Sequence, residues 1–284
     1  MMKLNVKCKS PLLLIGHLLF LMSFSACEKV IDIDLNEAEP VLVIQAEIGG
    51  DRTTQAVVLQ RSVAFSSAVT SEPVSGALIT VKDERVADSS GNPINGNSLV
   101  RNATYTFREV TPGVYLLDNY RGYPGVKYTL NILLDDHQYE ASSVMPPLVK
   151  IDSIGTTKSS IFGEDRNMVA VKYLDPEGVP NYYRYQLVHN GEWMNTILVR
   201  SDKFNDGRMV EQSLFDLDVD FNVGDHLEVI QQSVSKEVYD FFNAVLSNNP
   251  GSAAPANPPS MFGPGTIGYF SAYSADQAAT LISN

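Results

Sequence analysis

Lys127-Tyr-Thr-Leu-Asn-Ile-Leu-Leu134, followed by Asp135-Asp136 and then by Gln138-Tyr-Glu-Ala-Ser-Ser-Val144, is the stretch that decides the fold class. In its first run Tyr128, Leu130 and Ile132 alternate with Lys127, Thr129 and Asn131. An extended chain with that alternation offers one apolar face to a core and gives the other to water. Asp135-Asp136 separates the two runs and predicts a hairpin turn with its acids exposed.

The same texture extends outward on both sides. Val41-Leu-Val-Ile-Gln-Ala-Glu-Ile48 ends at Gly49-Gly50-Asp51, and Gln55-Ala-Val-Val-Leu-Gln-Arg-Ser-Val63 follows, which fits two strands joined by a turn. Ala77–Lys82, Tyr105–Phe107 and Gly113–Leu117 supply further strands, with Gly91-Asn-Pro-Ile-Asn-Gly96 as an exposed loop. Residues 41–146 therefore read as an immunoglobulin-like or transthyretin-like β-sandwich, a fold that takes roughly 100 residues. Met145-Pro-Pro-Leu-Val149 marks a boundary, because paired prolines stop a strand and stiffen the connection. Residues 147–284 then read as a second β-rich domain, with strands at Val169–Leu174, Tyr182–Val188, Thr196–Val199, Asp225–Gln232 and Thr266–Tyr273. One short helix is expected at about 235–247, with Ser235 as N-cap and apolar residues at 238, 241, 242, 245 and 246. Asn248 to Pro264 reads as a long loop, and the chain as a whole is mainly β.

The first residues carry a different signal. Lys3, Lys7 and Lys9 precede the apolar run Pro11–Phe24, which ends at Ser25-Ala26-Cys27. A positive segment, a short apolar segment and small residues before a cut form an export signal. The run falls short of the roughly 20 residues a membrane span needs, and His17 interrupts it. We expect residues 1–26 to be a lipoprotein signal peptide and Cys27 to be lipidated, the alternative being a simple secretory signal. Residues 27–40 form an acidic tether. Removing three lysines and no acid takes the net charge from -12 to -15, with 18 basic against 33 acidic side chains. Nucleic acid is a poor partner for such a surface. Cys8 lies in the removed segment, so no cysteine pair is left to form a disulfide.

Candidate chemistry is sparse. Asp216-Leu-Asp-Val-Asp220 opens like a calcium loop, but Phe221 and Leu227 stand where the EF-hand pattern needs glycine and a bidentate Glu. Asp216, Asp218 and Asp220 are thus either an irregular metal site or the solvated face of a strand. Gly263-Pro-Gly-Thr-Ile-Gly268 spells G-x-G-x-x-G without the following helix that phosphate binding requires. His137, His189 and His226 have no metal-ligand spacing, and no G-x-S-x-G elbow is present. Tyr182, with Tyr183, Tyr185 and Trp193, offers an aromatic platform for a sugar ring. The competing reading sends Tyr183 and Tyr185 to the core and leaves Tyr182 outside, as strand alternation demands. No cofactor and no catalytic set are expected.

Several segments, in order along nearly the whole chain, resemble the Bacteroidota lipoprotein family described as domain of unknown function 4249. They are Cys27-Glu-Lys-Val-Ile-Asp-Ile-Asp-Leu35, Pro73-Val-Ser-Gly-Ala-Leu-Ile-Thr-Val81, Gly125-Val-Lys-Tyr-Thr-Leu130, Met145-Pro146 with Ile151-Asp-Ser-Ile154, Asp175-Pro176 with Asn181-Tyr-Tyr-Arg184, and Gly268-Tyr-Phe-Ser-Ala272. The resemblance implies an outer-membrane lipoprotein, often encoded beside a TonB-dependent receptor, with no established activity. It also makes Ser153, in Asp152-Ser153-Ile154, an O-glycosylation acceptor of the kind that phylum uses, the alternative being a plain strand start. The expected function is that of a membrane-anchored accessory lipoprotein, on either side of the outer membrane, that binds a receptor, a ligand or both. The rival expectations are a glycan-binding module or carbohydrate-active enzyme, and a structural envelope protein.

Overall fold

In the computed structural model the hairpin of the opening stretch forms as β8 (Lys127–Leu134) and β9 (His137–Val144), paired from Leu134↔His137 outward. Asp135 and Asp136 have φ values of 47° and 62°, the left-handed pair that a two-residue turn needs if it is to follow the strand twist. Tyr128, Leu130 and Ile132 are fully buried, as the alternation predicts. The structure describes residues 40–63, 71–84, 103–161, 163–216, 218–247 and 258–283. The signal segment, Cys27, most of the 27–40 tether, the 91–96 loop and most of the 248–264 loop lie outside the described residues.

Three sheets and one short helix make up the described fold. β8 and β9 belong to a four-stranded sheet with β4 (Leu78–Glu84) and β5 (Ala103–Thr106), in the order β5-β4-β8-β9. A ten-stranded sheet contains β1 (Leu42–Gly49), β2 (Thr53–Arg61), β3 (Glu72–Pro73), β6 (Arg108–Thr111) and β7 (Val114–Tyr120). Its other half is β12 (Tyr182–His189), β13 (Glu192–Trp193), β14 (Leu198–Ser201), β16 (His226–Val234) and β17 (Thr266–Leu281). β10 (Ser153–Ile161), β11 (Glu164–Leu174) and β15 (Met209–Leu214) form the third sheet.

β17 joins the large sheet together. Its first half runs parallel to β1, from Leu42↔Thr266 to Gly49↔Tyr273, and its second half runs antiparallel to β16, from Ser233↔Ser274 to His226↔Leu281. The segments 41–146 and 147–284, expected as successive domains, therefore share one sheet, and residues 39–284 form one compact unit. Two cores fill this unit, the first taking Phe262, Phe270 and Ala272 from the second segment. One is built from Ile44, Ile48, Leu59, Tyr115, Tyr128, Leu130 and Phe270, the other from Val169, Val171, Tyr173, Tyr183, Tyr185, Leu187 and Val229.

The helix α1 (Lys236–Ser247) covers the opposite face of the large sheet. Ser235 caps it, with its Oγ 3.5 Å from the Val238 N–H and its carbonyl accepting from the Tyr239 N–H. Val238, Phe241 and Phe242 are buried against Val199, Val234 and Tyr269, while Leu246 stays exposed. Beneath the helix, Arg184 bonds Glu47 at 2.6 Å, lies 4.4 Å from the centre of the Phe242 ring, and so links β12, β1 and α1. Tyr269 donates to the same Glu47 oxygen. No helix of the described residues is long and apolar enough to cross a membrane.

Candidate functional site

Asn190 and Gly191, with φ of 50° and 88°, turn the chain back at the end of β12, so that Trp193 pairs with Val188. Trp193 is 67% exposed there. It lines a cleft of about 680 Å³ together with His189, Glu192, Met194, Ile197, Leu198, Arg200, Phe215, Asp216, Asp218 and Leu246 of the helix. An exposed indole lining a cleft with apolar side chains, acids and one arginine is suited to binding a ligand that is partly apolar and partly hydrogen-bonding.

A polar cluster fixes one wall of this cleft. His189 Nε2 lies 2.9 Å from Asp225 Oδ2, and the Asn190 side chain donates to Asp225 Oδ1 at 3.0 Å. The Asn222 amide donates to Asp225 Oδ2, and the His226 amide donates back to Asn190 Oδ1. The Asn190 hydrogen bond, then the Asn222 amide and His189, hold the Asp225 carboxyl down to about 2. The imidazole also packs 5.5 Å from the Phe221 ring. These contacts tie the 189–191 turn to the start of β16, which is how the sequence keeps Trp193 in place.

The structure does not bring Tyr182 and Trp193 together. Tyr182 begins β12, six residues and about 20 Å of extended chain from Val188, the partner of Trp193. Its ring packs 5.2 Å from Tyr239 on α1. Tyr183 and Tyr185 point the other way into the core, each 1% exposed, as strand alternation demands, whereas Tyr182 is not left outside but is half-buried, because the helix covers that face of the sheet.

Asp216, Asp218 and Asp220 do not lie on a strand. Asp216 Oδ1 accepts the Asp218 and Val219 amides at 2.7 and 3.2 Å, an Asx turn that curls the chain just after β15. Asp220 pairs with Arg166 at 3.2 Å. Two of the three acids are thus occupied by the protein itself. Ser153 is exposed at the first position of β10, where both the glycosylation and the strand-start readings place it. His137 is exposed, with Nδ1 2.8 Å from the Asp135 carbonyl oxygen. The G-x-G-x-x-G run turns through Gly263 and Gly265, with φ of 92° and 79°, and leads into β17 and not into a helix. Its last glycine is needed for packing, because a Cβ on Gly268 would lie 2.3 Å from the Ile44 carbonyl oxygen.

A second group of acids was not legible as a site in the sequence. One carboxylate oxygen from each of Asp175, Asp202 and Asp206 lies within 4.8 Å of the other two. Asp175 follows β11, and Asp202 and Asp206 lie in the turn between β14 and β15, 27 residues further along. The Asp175-Pro176 pair in the family-like segments is the one hint the sequence gives. Burial pushes the Asp175 carboxyl above its ordinary range; the Tyr183 hydroxyl donating to it pulls it down, and Asp202 and Asp206 push it up again.

The fold is mainly β, with three sheets and one short helix, and carries a cleft beside Trp193 at one end of its large sheet. Compared with known families, residues 28–279 match the Domain of unknown function (DUF4249), and the chain belongs to that family. A comparison with curated proteins finds no match.

Proposed function

We propose that the protein is a lipid-anchored accessory binding protein of the outer membrane that works beside a TonB-dependent receptor in ligand binding or uptake, without catalysing a reaction. The observation that carries this reading is the Trp193 cleft, a concave surface one wall of which is fixed through His189 by the His189–Asp225–Asn190 cluster. Cys27, behind Ser25-Ala26, supplies the anchor in this reading, and acyl chains on it would hold the body at the membrane. The family resemblance supports both the outer-membrane address and the receptor partner. The same reading takes residues 41–146 as a sandwich of immunoglobulin-like or transthyretin-like kind, supported by the shared core of the four-stranded sheet and strands β1, β2 and β7.

Two measurements test it. Cys27→Ser is expected to move the protein from membranes to the soluble periplasmic fraction, and a variant that stays membrane-bound refutes the anchor. Capture through a tag on the intact lipoprotein is expected to recover an outer-membrane receptor. Repeated capture of no barrel protein removes the accessory role.

A second reading, a glycan-binding module, is favoured by one feature: the exposed indole of Trp193 lining the cleft. Saturable binding to a glycan array, lost in Trp193→Ala and kept in Tyr182→Ala, would assign the cleft to a sugar ring. Binding lost in Tyr182→Ala and kept in Trp193→Ala would place the sugar elsewhere.

A further inference from the structure

We propose that Asp175, Asp202 and Asp206 form a calcium site that ties the 175–181 connection to the 202–208 turn, independently of the Trp193 cleft. Each carboxylate has one oxygen held by the protein. The Tyr183 hydroxyl donates to Asp175 Oδ1, the Asn181 amide donates to Asp202 Oδ2 at 2.7 Å, and the Gly178 amide donates to Asp206 Oδ1 at 2.7 Å. These bonds orient the three groups and leave each a second oxygen. The backbone holds the two segments side by side, with the Asp175 N–H donating to the Arg208 carbonyl and the Asp202 N–H to the Asn181 carbonyl.

The separate observation that points to a cation is the second oxygen of Asp175. That residue is 1% exposed, and its Oδ2 is buried with no partner in hydrogen-bond geometry; the neighbouring Gly207 amide is the smallest of the influences on this carboxyl and favours its charged form. Among the described residues it is the only carboxylate oxygen in that condition; the other orphaned atoms belong to Gln231, Ser233 and Ser271. None of the ion pairs among the described residues involves Asp175, Asp202 or Asp206. A buried carboxylate facing two others, with no cation beside it, is costly unless a counter-charge binds there.

The distances and the donor chemistry select the ion. Two oxygens each about 2.4 Å from a common Ca²⁺ lie at most about 4.8 Å apart. Oxygens of all three aspartates meet that limit. An all-carboxylate set is hard, which disfavours zinc and copper, and a site on two turns suits the variable coordination of calcium better than the strict octahedron of magnesium. Asp202, 9% exposed, and the exposed Asp206 leave the outer side open for water to complete the shell.

The test is terbium luminescence on the purified full chain, excited through tyrosine, since Tyr183 is bonded to one of the ligands. Sensitised emission is expected to saturate at one Tb³⁺ per chain, to be displaced by Ca²⁺, and to resist Mg²⁺. Asp206→Asn, at an exposed position that leaves the core alone, and Asp202→Asn are each expected to weaken the affinity by about tenfold or more. Asp216→Asn and Asp220→Asn are expected to leave it unchanged. Emission that does not saturate, that Ca²⁺ cannot displace, that survives Asp206→Asn in a folded protein, or that is lost through Asp216 or Asp220 overturns the proposal.

Discussion

Gly268→Ala tests the parallel pairing on which both halves of the large sheet depend. Gly268 is in register with Ile44, and a Cβ placed on it falls 2.3 Å from the Ile44 carbonyl oxygen and 2.9 Å from Ile44 Cβ. Comfortable contact begins at about 3.5 Å, so β1 has to retreat by roughly 1 Å. The obstacle is strand backbone. β1 is held on its other edge by β2, and the Ile44 side chain is fully buried, so no rotamer change absorbs the displacement. Overpacking costs about 1–3 kcal/mol, and a backbone obstacle puts this substitution near the top, at about 3 kcal/mol. For a domain of this size, at about 3 °C per kcal/mol, the unfolding midpoint falls by about 9 °C. Thermal unfolding followed by far-ultraviolet circular dichroism reads the shift. Gly155→Ala in β10 is the control, because a Cβ there meets nothing within 4 Å, and its midpoint should match the wild type or slightly exceed it. A Gly268→Ala midpoint within about 2 °C of wild type would refute the close packing of β1 on β17.

Arg184→Ala leaves Glu47 half-buried without its cation and removes the packing over Phe242; urea unfolding should show a loss of about 3 kcal/mol, with Glu47→Gln non-additive to it in a double-mutant cycle. Asp225 has a folded pKa depressed to about 2 from an ordinary 3.8. Its contribution to stability is therefore complete above the ordinary value and lost as pH falls towards about 2, so Asp225→Asn should flatten the acid limb of a stability–pH curve in that window. Trp193→Ala removes an exposed ring and should leave stability within about 0.5 kcal/mol, so that any lost ligand binding reports on the cleft and not on folding.

The parts of the fold written in local alternation were legible. The 127–144 hairpin, the strand over 182–188 and the helix over 235–247 each carry their period in their own residues, and all three form where that period places them. Of β10 only a strand start at Ser153 was legible; its length was not, because Ser-Ile-Gly-Thr-Thr-Lys-Ser-Ser-Ile is mostly polar and small, and it is a strand through its nine-residue pairing with β11. β17 reads as a strand over 266–273, where aromatic residues continue the pattern, yet it runs to Leu281. Its second half, Ser-Ala-Asp-Gln-Ala-Ala-Thr-Leu, is mostly small and polar and is held extended by β16. Asp216, Asp218 and Asp220 failed as strand residues because an Asx turn won locally over alternation.

The site followed the same division. Trp193 was singled out for its chemistry, but its separation from Tyr182 is a matter of which end of β12 each occupies, and residue type is silent on that. The carboxylates of Asp175, Asp202 and Asp206 meet only because β11 pairs with β15 and β12 with β14, which brings two connections 27 residues apart to the same edge. The spacing that matters there is set by register and not by sequence distance. That same dependence on register explains why β17 matters to the whole molecule. β1 lies in the middle of the large sheet because β17 covers one of its edges, and without that partner its backbone N–H and C=O groups would form an open, apolar edge. Gly268, the Arg184–Glu47 pair and Tyr269 all lie along this seam, joining β1 to β17, β12 and the helix. The core under the hairpin and the core under β11 are therefore coupled through one strand, although the residues filling each come almost wholly from their own side of Met145.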